Sequence, residues 1–412
     1  MVKYILRLFI LLQLVLAVSW FAGEKFIPIK TTTFLGKGLG ETSASSFFWS
    51  RANFDGFYYA KIARDGYQYL QQAFFPFYPQ LIKIFQKVFA SFIVSGLFIS
   101  NLAFVFAMIV FWKLLEQGKI KEKTIKKTLL FLILFPTSFY LVSVYTESLF
   151  LLFALSSFYF ARKRNFLAAG ILAGFASYTR LAGIFLLPAL LVEYYEQESR
   201  RAMKDRLSAL KERITHPRRN HLVWLLQSRA THFKNLFFIA ISSWGLLKYM
   251  YFLKKTMGSW FYFVKVQPDF GAGRSVDKLI LLYQVFWRYL KMIFTVAPSQ
   301  WLYFNVWFEF VVAVLFLALL LWGWHKREEY KIRLSWLVFA GLAYLLPTLT
   351  GTFSSLPRYV LVCFPGFIVL ARVITDLAKQ KRLSQIKWVY LAVTVILLVI
   401  SSAFFFRGYW LA

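Results

Sequence analysis

Acidic side chains, cysteine and histidine are scarce in this chain of 412 residues. Asp and Glu together number 18 against 49 Lys and Arg, and there are 4 His and a single cysteine, Cys363. One cysteine excludes a disulfide within the chain, and the histidines match no zinc-binding spacing. With so few carboxylates, each acid beside an apolar run is a candidate functional residue, because such an acid is costly to keep there.

Apolar residues dominate the rest of the composition. The chain is 59% hydrophobic and 21% aromatic, with only 16% charged residues. Long apolar runs recur along the sequence, which is typical of a polytopic membrane protein. The net charge of +31 lies mainly in short loops between these runs, as in cytoplasmic loops. No basic, aromatic-interleaved soluble domain is present, so we expect the lipid bilayer as a partner and no binding of nucleic acid.

The apolar runs predict an all-α bundle that forms one domain over residues 1–412. We expect about 11 transmembrane helices, and at most about 13, with the N-terminus inside. The distribution of Lys and Arg places residues 23–90 and 254–300 outside, as extracytoplasmic loops. Residues 196–234 then form a basic cytoplasmic loop.

One apolar run is too long to be a single membrane-spanning helix. A single helix over residues 165–195 would be about 45 Å long, which exceeds the hydrocarbon core. The polar break there predicts two short helices that meet at Arg180. Residues 128–143 and 358–377 are each predicted as a span.

The stretch 49–79 interrupts the apolar runs and is the most unusual part of the sequence. It holds Asp55 and Asp65, two of only six aspartates, together with eleven aromatic residues. Apolar side chains recur at helical spacing through its first half, so we expect a short interfacial helix that ends near Gly66. Its tyrosines would lie at headgroup level.

The predicted topology collects polar and aromatic side chains on the outer side of the membrane, and these form the candidate site. The candidates are Arg51, Phe54, Asp55, Tyr58, Tyr59, Asp65, Tyr145, Glu147, Arg180, Arg358 and Tyr359. Lys265 and Arg274 in the 254–300 loop are weaker candidates for binding a substrate phosphate.

Each acid of this set has a functional and a structural interpretation. A partly desolvated Asp55 would accept a proton well, but it can also cap a helix or pair with Arg51. Asp65 lies in Arg-Asp-Gly-Tyr, which is typical of a turn that ends a helix. Glu147 either interacts with a helix dipole, or binds a sugar hydroxyl or orients Arg180. Asp55 with Asp65 or Glu147 would also suit a divalent cation (Mg²⁺ or Mn²⁺), although their spacing does not require one and no metal ligand is assigned.

The two arginines at the edges of apolar runs, Arg180 and Arg358, also have two interpretations. An arginine in such a place is costly unless it meets an anion. The side chains would either extend to lipid phosphates or bind the phosphate of a lipid-linked substrate. In the second case they would stabilise a phosphate leaving group.

Several motifs, in order along the chain, resemble the PIG-V family of membrane mannosyltransferases. Asn-Phe-Asp55-Gly-Phe-Tyr-Tyr, Ile-Ala-Arg-Asp-Gly-Tyr and Ala-Phe-Phe-Pro-Phe-Tyr-Pro are similar to the motifs of the family's first outer loop. Tyr-Thr-Glu147-Ser is similar to a Tyr-Thr-Glu-Ser motif, and the segments around Arg180 and Arg358 are similar to later ones. Phe54 stands where the family usually has Trp.

The resemblance implies a polytopic glycosyltransferase of the GT-C class, with Asp55 as the general base. Such an enzyme would transfer mannose, with inversion, from a polyprenyl (dolichyl-type) phosphate donor to a glycolipid or glycan acceptor on the extracytoplasmic side. Transfer of another lipid-linked sugar, or transport of lipid-linked sugars by a flippase, remain as alternatives. We expect a bacterial plasma membrane with an external site; the eukaryotic counterpart is GPI-anchor assembly in the endoplasmic reticulum membrane.

Overall fold

The computed structural model describes residues 1–31, 34–41, 45–212, 232–271, 273–380 and 383–411. Within these ranges the chain is helical and has no β-strand, which confirms the predicted all-α fold. The longer helices are α1 (Val2–Phe26), α2 (Asp55–Asp65), α3 (Phe77–Phe89), α4 (Phe92–Gln117), α5 (Glu122–Ile133), α6 (Glu147–Arg162), α7 (Phe166–Thr179), α8 (Leu186–Glu212), α9 (His232–Met257), α10 (Leu282–Thr295), α11 (Trp301–His325), α12 (Leu334–Thr348), α13 (Phe364–Leu377) and α14 (Ile386–Phe406). Of the predicted basic loop 196–234, residues 213–231 lie outside the described residues.

The chain is a polytopic membrane protein. Helices α1, α4, α9, α11 and α14 are long and apolar enough to cross a membrane. A bent pair of helices that ends in α13 adds one further span at most within the described ranges, and α7 and α12 are apolar but shorter. The larger predicted number of about 11 spans stays a prediction.

The predicted break at Arg180 is confirmed. Helix α7 ends at Thr179, and Arg180 is extended, with φ −153° and ψ 149°. A 3₁₀ turn over Leu181–Phe185 then leads into α8. At the other end of α7, the Asn165 side chain accepts a hydrogen bond from the Ala168 N–H at 3.0 Å and so caps the helix.

The predicted span over 128–143 is not one continuous helix. Helix α5 ends at Ile133, and a 3₁₀ turn follows over Ser138–Val142. Pro136 lies between the two, and a proline has no N–H with which to continue a helix.

The predicted span over 358–377 is sharply bent near its start. A short helical segment over Leu356–Val362 meets α13 at an angle of 86°. Pro365 lies in the first turn of α13, where the missing N–H costs nothing and the fixed φ suits a helix start. The bend therefore leaves Arg358 on a short turn, away from the axis of α13.

Packing brings the start of α2 close to the segment before α6. The Val144 N–H donates to the Arg51 carbonyl oxygen at 3.1 Å. A Cβ atom on Gly56 would lie 3.1 Å from the Val144 carbonyl oxygen, so glycine permits this approach. Helix α6 itself packs against α4 and α7. These contacts place Asp55, the first residue of α2, beside the first residue of α6.

Candidate active site

Asp55 begins α2 directly after a strained residue. Phe54 has φ 57° and ψ −114°, a region that costs a residue with a side chain on the order of 1–3 kcal/mol. Its N–H donates to the Phe34 carbonyl oxygen at 2.7 Å, and its ring meets the Trp410 ring edge-on at 5.1 Å. These contacts hold the turn in place, and the start of a helix favours a carboxylate.

Asn53 ties the same turn to two distant segments. Its Oδ1 accepts a hydrogen bond from the Gly36 N–H at 3.0 Å, and its Nδ2 donates to the Phe405 carbonyl oxygen at 2.9 Å. Its own carbonyl oxygen accepts from the Tyr145 hydroxyl at 2.8 Å. Asp55 therefore stands on a backbone that is fixed from three sides.

Four of the predicted residues form one chain of alternating charges. Arg358 Nη1 lies 2.5 Å from Asp55 Oδ2, and Arg358 Nε lies 3.3 Å from Glu147 Oε1. Arg180 Nη1 donates to the same Glu147 oxygen and lies 3.3 Å from Thr146 Oγ1. We call Asp55, Arg358, Glu147 and Arg180 the outer cluster. Their side chains are 16%, 8%, 1% and 10% exposed, so the interaction is only weakly screened by solvent.

The outer cluster is not fully saturated with hydrogen bonds. In the described part of the chain, Glu147 Oε2 and Arg358 Nε are buried without a hydrogen-bond partner. Leaving such a group unpaired costs about 1–3 kcal/mol. The Arg180 guanidinium of the cluster also lies 4.7 Å from the centre of the Tyr359 ring, which is a cation–π contact.

A cavity of about 820 Å³ opens beside the outer cluster. Asp55, Arg180 and Arg358 line it, whereas Glu147 and Tyr145 lie behind these residues. The other predicted residues that line it are Phe54, Tyr58, Tyr59 and Tyr359. The outer cluster thus contributes one carboxylate and two guanidinium groups to a cavity wall that also carries aromatic rings.

Tyr58 and Tyr59 supply part of that aromatic wall. The Tyr58 ring stacks on the Phe74 ring with 5.0 Å between centres. Burial, and next the negative charge of Asp55, raise the pKa of the Tyr58 hydroxyl. Burial has the same effect on the pKa of Tyr59, whose hydroxyl lies 3.4 Å from Thr146 Oγ1. Both phenols are therefore neutral hydrogen-bonding groups near Asp55.

Two predicted site residues lie away from the cavity. Arg51 is buried, donates to Gln13 Oε1 at 3.0 Å and lies over the Phe47 ring. Burial lowers the pKa of Arg51 to about 10. Asp55 therefore pairs with Arg358 and not, as the alternative interpretation had it, with Arg51.

Asp65 ends α2 and pairs with its neighbour Arg64 at 2.9 Å. The hydrogen bonds from Arg64 hold the pKa of the Asp65 carboxyl below its ordinary value. Ten residues of helix separate Asp65 from Asp55, which is about 15 Å. The two carboxylates are therefore too far apart to bind one cation together.

The other proposed pair of ligands for a divalent cation is Asp55 with Glu147. Among the described residues, no group of three or more His, Cys, Asp or Glu side chains comes together. Both carboxylates already face a guanidinium group. A divalent cation at this place would have to displace Arg358.

Some cavity residues could not be found by sequence reasoning. Trp410 lines the cavity, and its carbonyl oxygen accepts hydrogen bonds from Trp301 Nε1 at 2.8 Å and Asn305 Nδ2 at 3.0 Å. Ser354 and Ser355 line it just before Arg358. The serines had a weak signal in their position before the Pro-Arg motif, whereas Trp410 had none.

Comparison with known proteins found a matching family model and similar solved structures. The family model described as mannosyltransferase (PIG-V) matches residues 2–206. A crystal structure of the Archaeoglobus fulgidus oligosaccharyltransferase tethered with an acceptor peptide is 12% identical, with a TM-score of 0.45 over 97% of this chain and 55% of that one. The apo form of that protein is 11% identical, with a TM-score of 0.44 over 98% of this chain and 56% of that one.

The chain thus spans just over half the length of these solved proteins. No curated protein sequence matches it. The family match includes Asp55 and its strained turn, Glu147 with the start of α6, and Arg180. Over residues 2–206 the chain is similar to the mannosyltransferase (PIG-V) family.

Proposed function

We propose that the protein is a GT-C-type enzyme that transfers mannose from a polyprenyl-phosphate donor to a hydroxyl group of a glycolipid or glycan. One observation carries the proposal. Asp55 lines the cavity with Oδ2 held by Arg358, while Oδ1 makes no hydrogen bond within the described part of the chain. A fixed carboxylate with one open oxygen suits a general base.

The proposed reaction is a single inverting displacement. Asp55 Oδ1 accepts the proton of the acceptor hydroxyl while that oxygen forms a bond to the anomeric carbon. The bond between the anomeric carbon and the phosphate oxygen breaks, and polyprenyl phosphate leaves with the electron pair. Because the cavity holds acceptor and donor together, the orientation of the two reactants lowers the activation free energy.

The other members of the outer cluster serve as positioning residues in this proposal. Arg358 orients the Asp55 carboxylate, and Glu147 lies between Arg358 and Arg180. A cavity of about 820 Å³ falls within the size range of ligand pockets, roughly 300–1,000 Å³. It can hold a sugar and its phosphate, while the lipid chain extends beyond it.

The extracytoplasmic location of the site is part of the proposal and rests on charge asymmetry. Helix α6 begins at Glu147 in the outer cluster and ends at Arg162, about 24 Å away. Lys163 and Arg164 follow at that far end. Since basic residues favour the cytoplasmic side, the end of α6 that carries Glu147 is assigned to the outside.

The test is a transfer assay with purified protein, labelled polyprenyl-phosphate sugars and glycolipid acceptors. We expect transfer from the mannose donor by the wild type and none by Asp55→Asn, whose amide cannot accept the proton. Equal transfer by Asp55→Asn would contradict the assignment of the base. Transfer from a glucose or arabinose donor alone would support the same reaction with another sugar. Movement of intact donor across vesicles without transfer would indicate a flippase.

A further inference from the structure

Some cations of the cavity have no carboxylate partner in the outer cluster. Arg180 and Arg358 are engaged by Glu147 and Asp55. Two more cations, Arg274 and Lys278, also line the cavity. Within the described ranges, neither forms an ion pair.

The other acids near this wall are already engaged or point elsewhere. Asp269 lines the cavity, but its Oδ2 accepts a hydrogen bond from the Tyr69 hydroxyl at 3.0 Å. Asp277 is exposed and is not part of the lining. Glu309 is close enough to interact electrostatically with Arg274, but it accepts a hydrogen bond from Tyr289 and forms no ion pair within the described residues. The charge of Arg274 is therefore available to a ligand.

The backbone around Arg274 is anchored on both sides. The Ser275 N–H donates to the Thr350 carbonyl oxygen at 3.0 Å. Arg288 Nη1 donates to the carbonyl oxygens of Gly273 and Gly351 at 3.1 and 2.9 Å. The Arg274 side chain is half-buried and makes no side-chain hydrogen bond within the described residues. This segment is thus held at the cavity with its guanidinium group uncommitted.

An apolar edge adjoins these two cations. Leu279 and Leu349 line the same cavity and are 72% and 42% exposed. Leu345 and Leu281 are also exposed. In a membrane protein, such leucines are compatible with hydrocarbon chains. The wall therefore combines two unpaired cations with an apolar surface, which matches an amphiphile that carries a phosphate.

We propose that Arg274 and Lys278 bind the phosphate of the polyprenyl-phosphate substrate, and that its chain leaves the cavity along Leu279 and Leu349. This inference rests on the proposed function and divides the roles of the cations. If Arg358 bound the phosphate instead, Asp55 would lose its partner, and an uncompensated buried charge is costly. Arg274 and Lys278 have no carboxylate partner, so a phosphate that binds to them leaves no carboxylate unpaired.

The test measures binding of a polyprenyl phosphate, which carries the anion without the sugar, to the full chain in phosphatidylcholine nanodiscs. Arg274→Gln is expected to weaken this binding about tenfold, and the exposed Lys278→Gln about threefold. The donor KM should rise by similar factors with kcat little changed. Lys265→Gln is the matched control, since Lys265 belongs to the same outer loop but is exposed and does not line the cavity. The thermal unfolding midpoint should not change in any variant.

The outcomes separate this inference from the proposed function. Equal affinity of wild type, Arg274→Gln and Lys278→Gln for polyprenyl phosphate would overturn the anion site. Weaker binding in both variants, without any mannose transfer by the wild type, would support the anion site and refute the proposed sugar or reaction. The phosphate bound at this site could belong to polyprenyl phosphate or to a membrane phospholipid. Repeating the binding measurement with phosphatidylglycerol in the nanodiscs distinguishes these two sources. Undiminished affinity supports a polyprenyl-phosphate site, whereas displacement by phosphatidylglycerol would overturn that assignment in favour of a general lipid-phosphate site.

Discussion

Two carboxylates of this protein, the partly buried Asp55 in the outer cluster and the fully buried Glu193 in α8, differ in how completely they are bonded. Glu193 Oε1 accepts hydrogen bonds from Arg333 at 2.9 Å and Gln197 at 2.8 Å. Its Oε2 accepts from Ser335 at 2.6 Å and from Arg333 at 3.3 Å. Asp55 instead has one bonded oxygen and faces a cavity.

In the proposed reaction, only Asp55 of these two carboxylates has an oxygen that can accept a proton. Glu193 is fully buried, and none of its partners lines the cavity of the outer cluster. Its bonds join α8 to the start of α12, so its role is to hold these helices together. A saturated carboxylate has no lone pair in reach of a substrate, whereas Asp55 keeps one oxygen open. Buried ion pairs alone are therefore weak evidence for a catalytic site.

The largest expected effect comes from replacing each carboxylate by its amide. Asp55→Asn should reduce transfer about 10²–10⁴-fold, the usual range for a general base, with an unchanged unfolding midpoint. Glu193→Gln should leave the activity per folded molecule within about twofold, since Glu193 does not line the cavity. Steady-state rates on equal amounts of folded protein check this. A comparable loss of rate in both variants would remove the distinction between them.

The second-largest effect is expected at Arg358, which pairs with Asp55. Arg358→Gln should lower kcat about 100-fold while the donor KM changes little, because the residue orients the base in the proposed reaction. Arg358→Lys should restore part of kcat, since it keeps the charge but not the planar fork. A rise in donor KM at constant kcat would instead indicate that Arg358 binds the phosphate.

The third effect concerns stability. Arg333→Met leaves the fully buried Glu193 without its cation and should reduce the free energy of unfolding by about 3–5 kcal/mol. Thermal unfolding in detergent checks this change. The double variant Arg333→Met with Glu193→Leu should regain most of the loss, because it removes the unpaired charge. If Arg333→Met unfolds at the same temperature as the wild type, the Glu193–Arg333 ion pair does not stabilise the fold.

The smallest effect is expected at the second aspartate of the 49–79 stretch. Asp65 pairs with Arg64 at the surface, and such pairs contribute little. Asp65→Asn should therefore change neither the unfolding midpoint nor the transfer rate by more than about twofold. A transfer assay beside Asp55→Asn provides the comparison within one helix. A large loss at Asp65 would require the acceptor to extend along α2.

Much of the site could be predicted because several of its signals are local. The helical spacing after Asp55 and the glycine at 66 predicted α2, which ends at Asp65. The polar break within a run too long for one span predicted the extended Arg180. The alternation of basic loops and apolar runs placed Glu147, Arg180 and Arg358 on the same side as Asp55. These patterns are readable because each depends on residues close in sequence.

The sequence by itself determined the membrane character, the all-α class, the break at Arg180 and the set of residues that contains the site. Only the tertiary structure decided which of them meet. Asp55 pairs with Arg358, which is 303 residues away, and not with the nearby Arg51. Trp410 reaches the cavity, and an 86° bend before α13 leaves Arg358 at its edge. Such contacts depend on how distant helices pack, and a pattern within a short window of sequence carries no information about that packing.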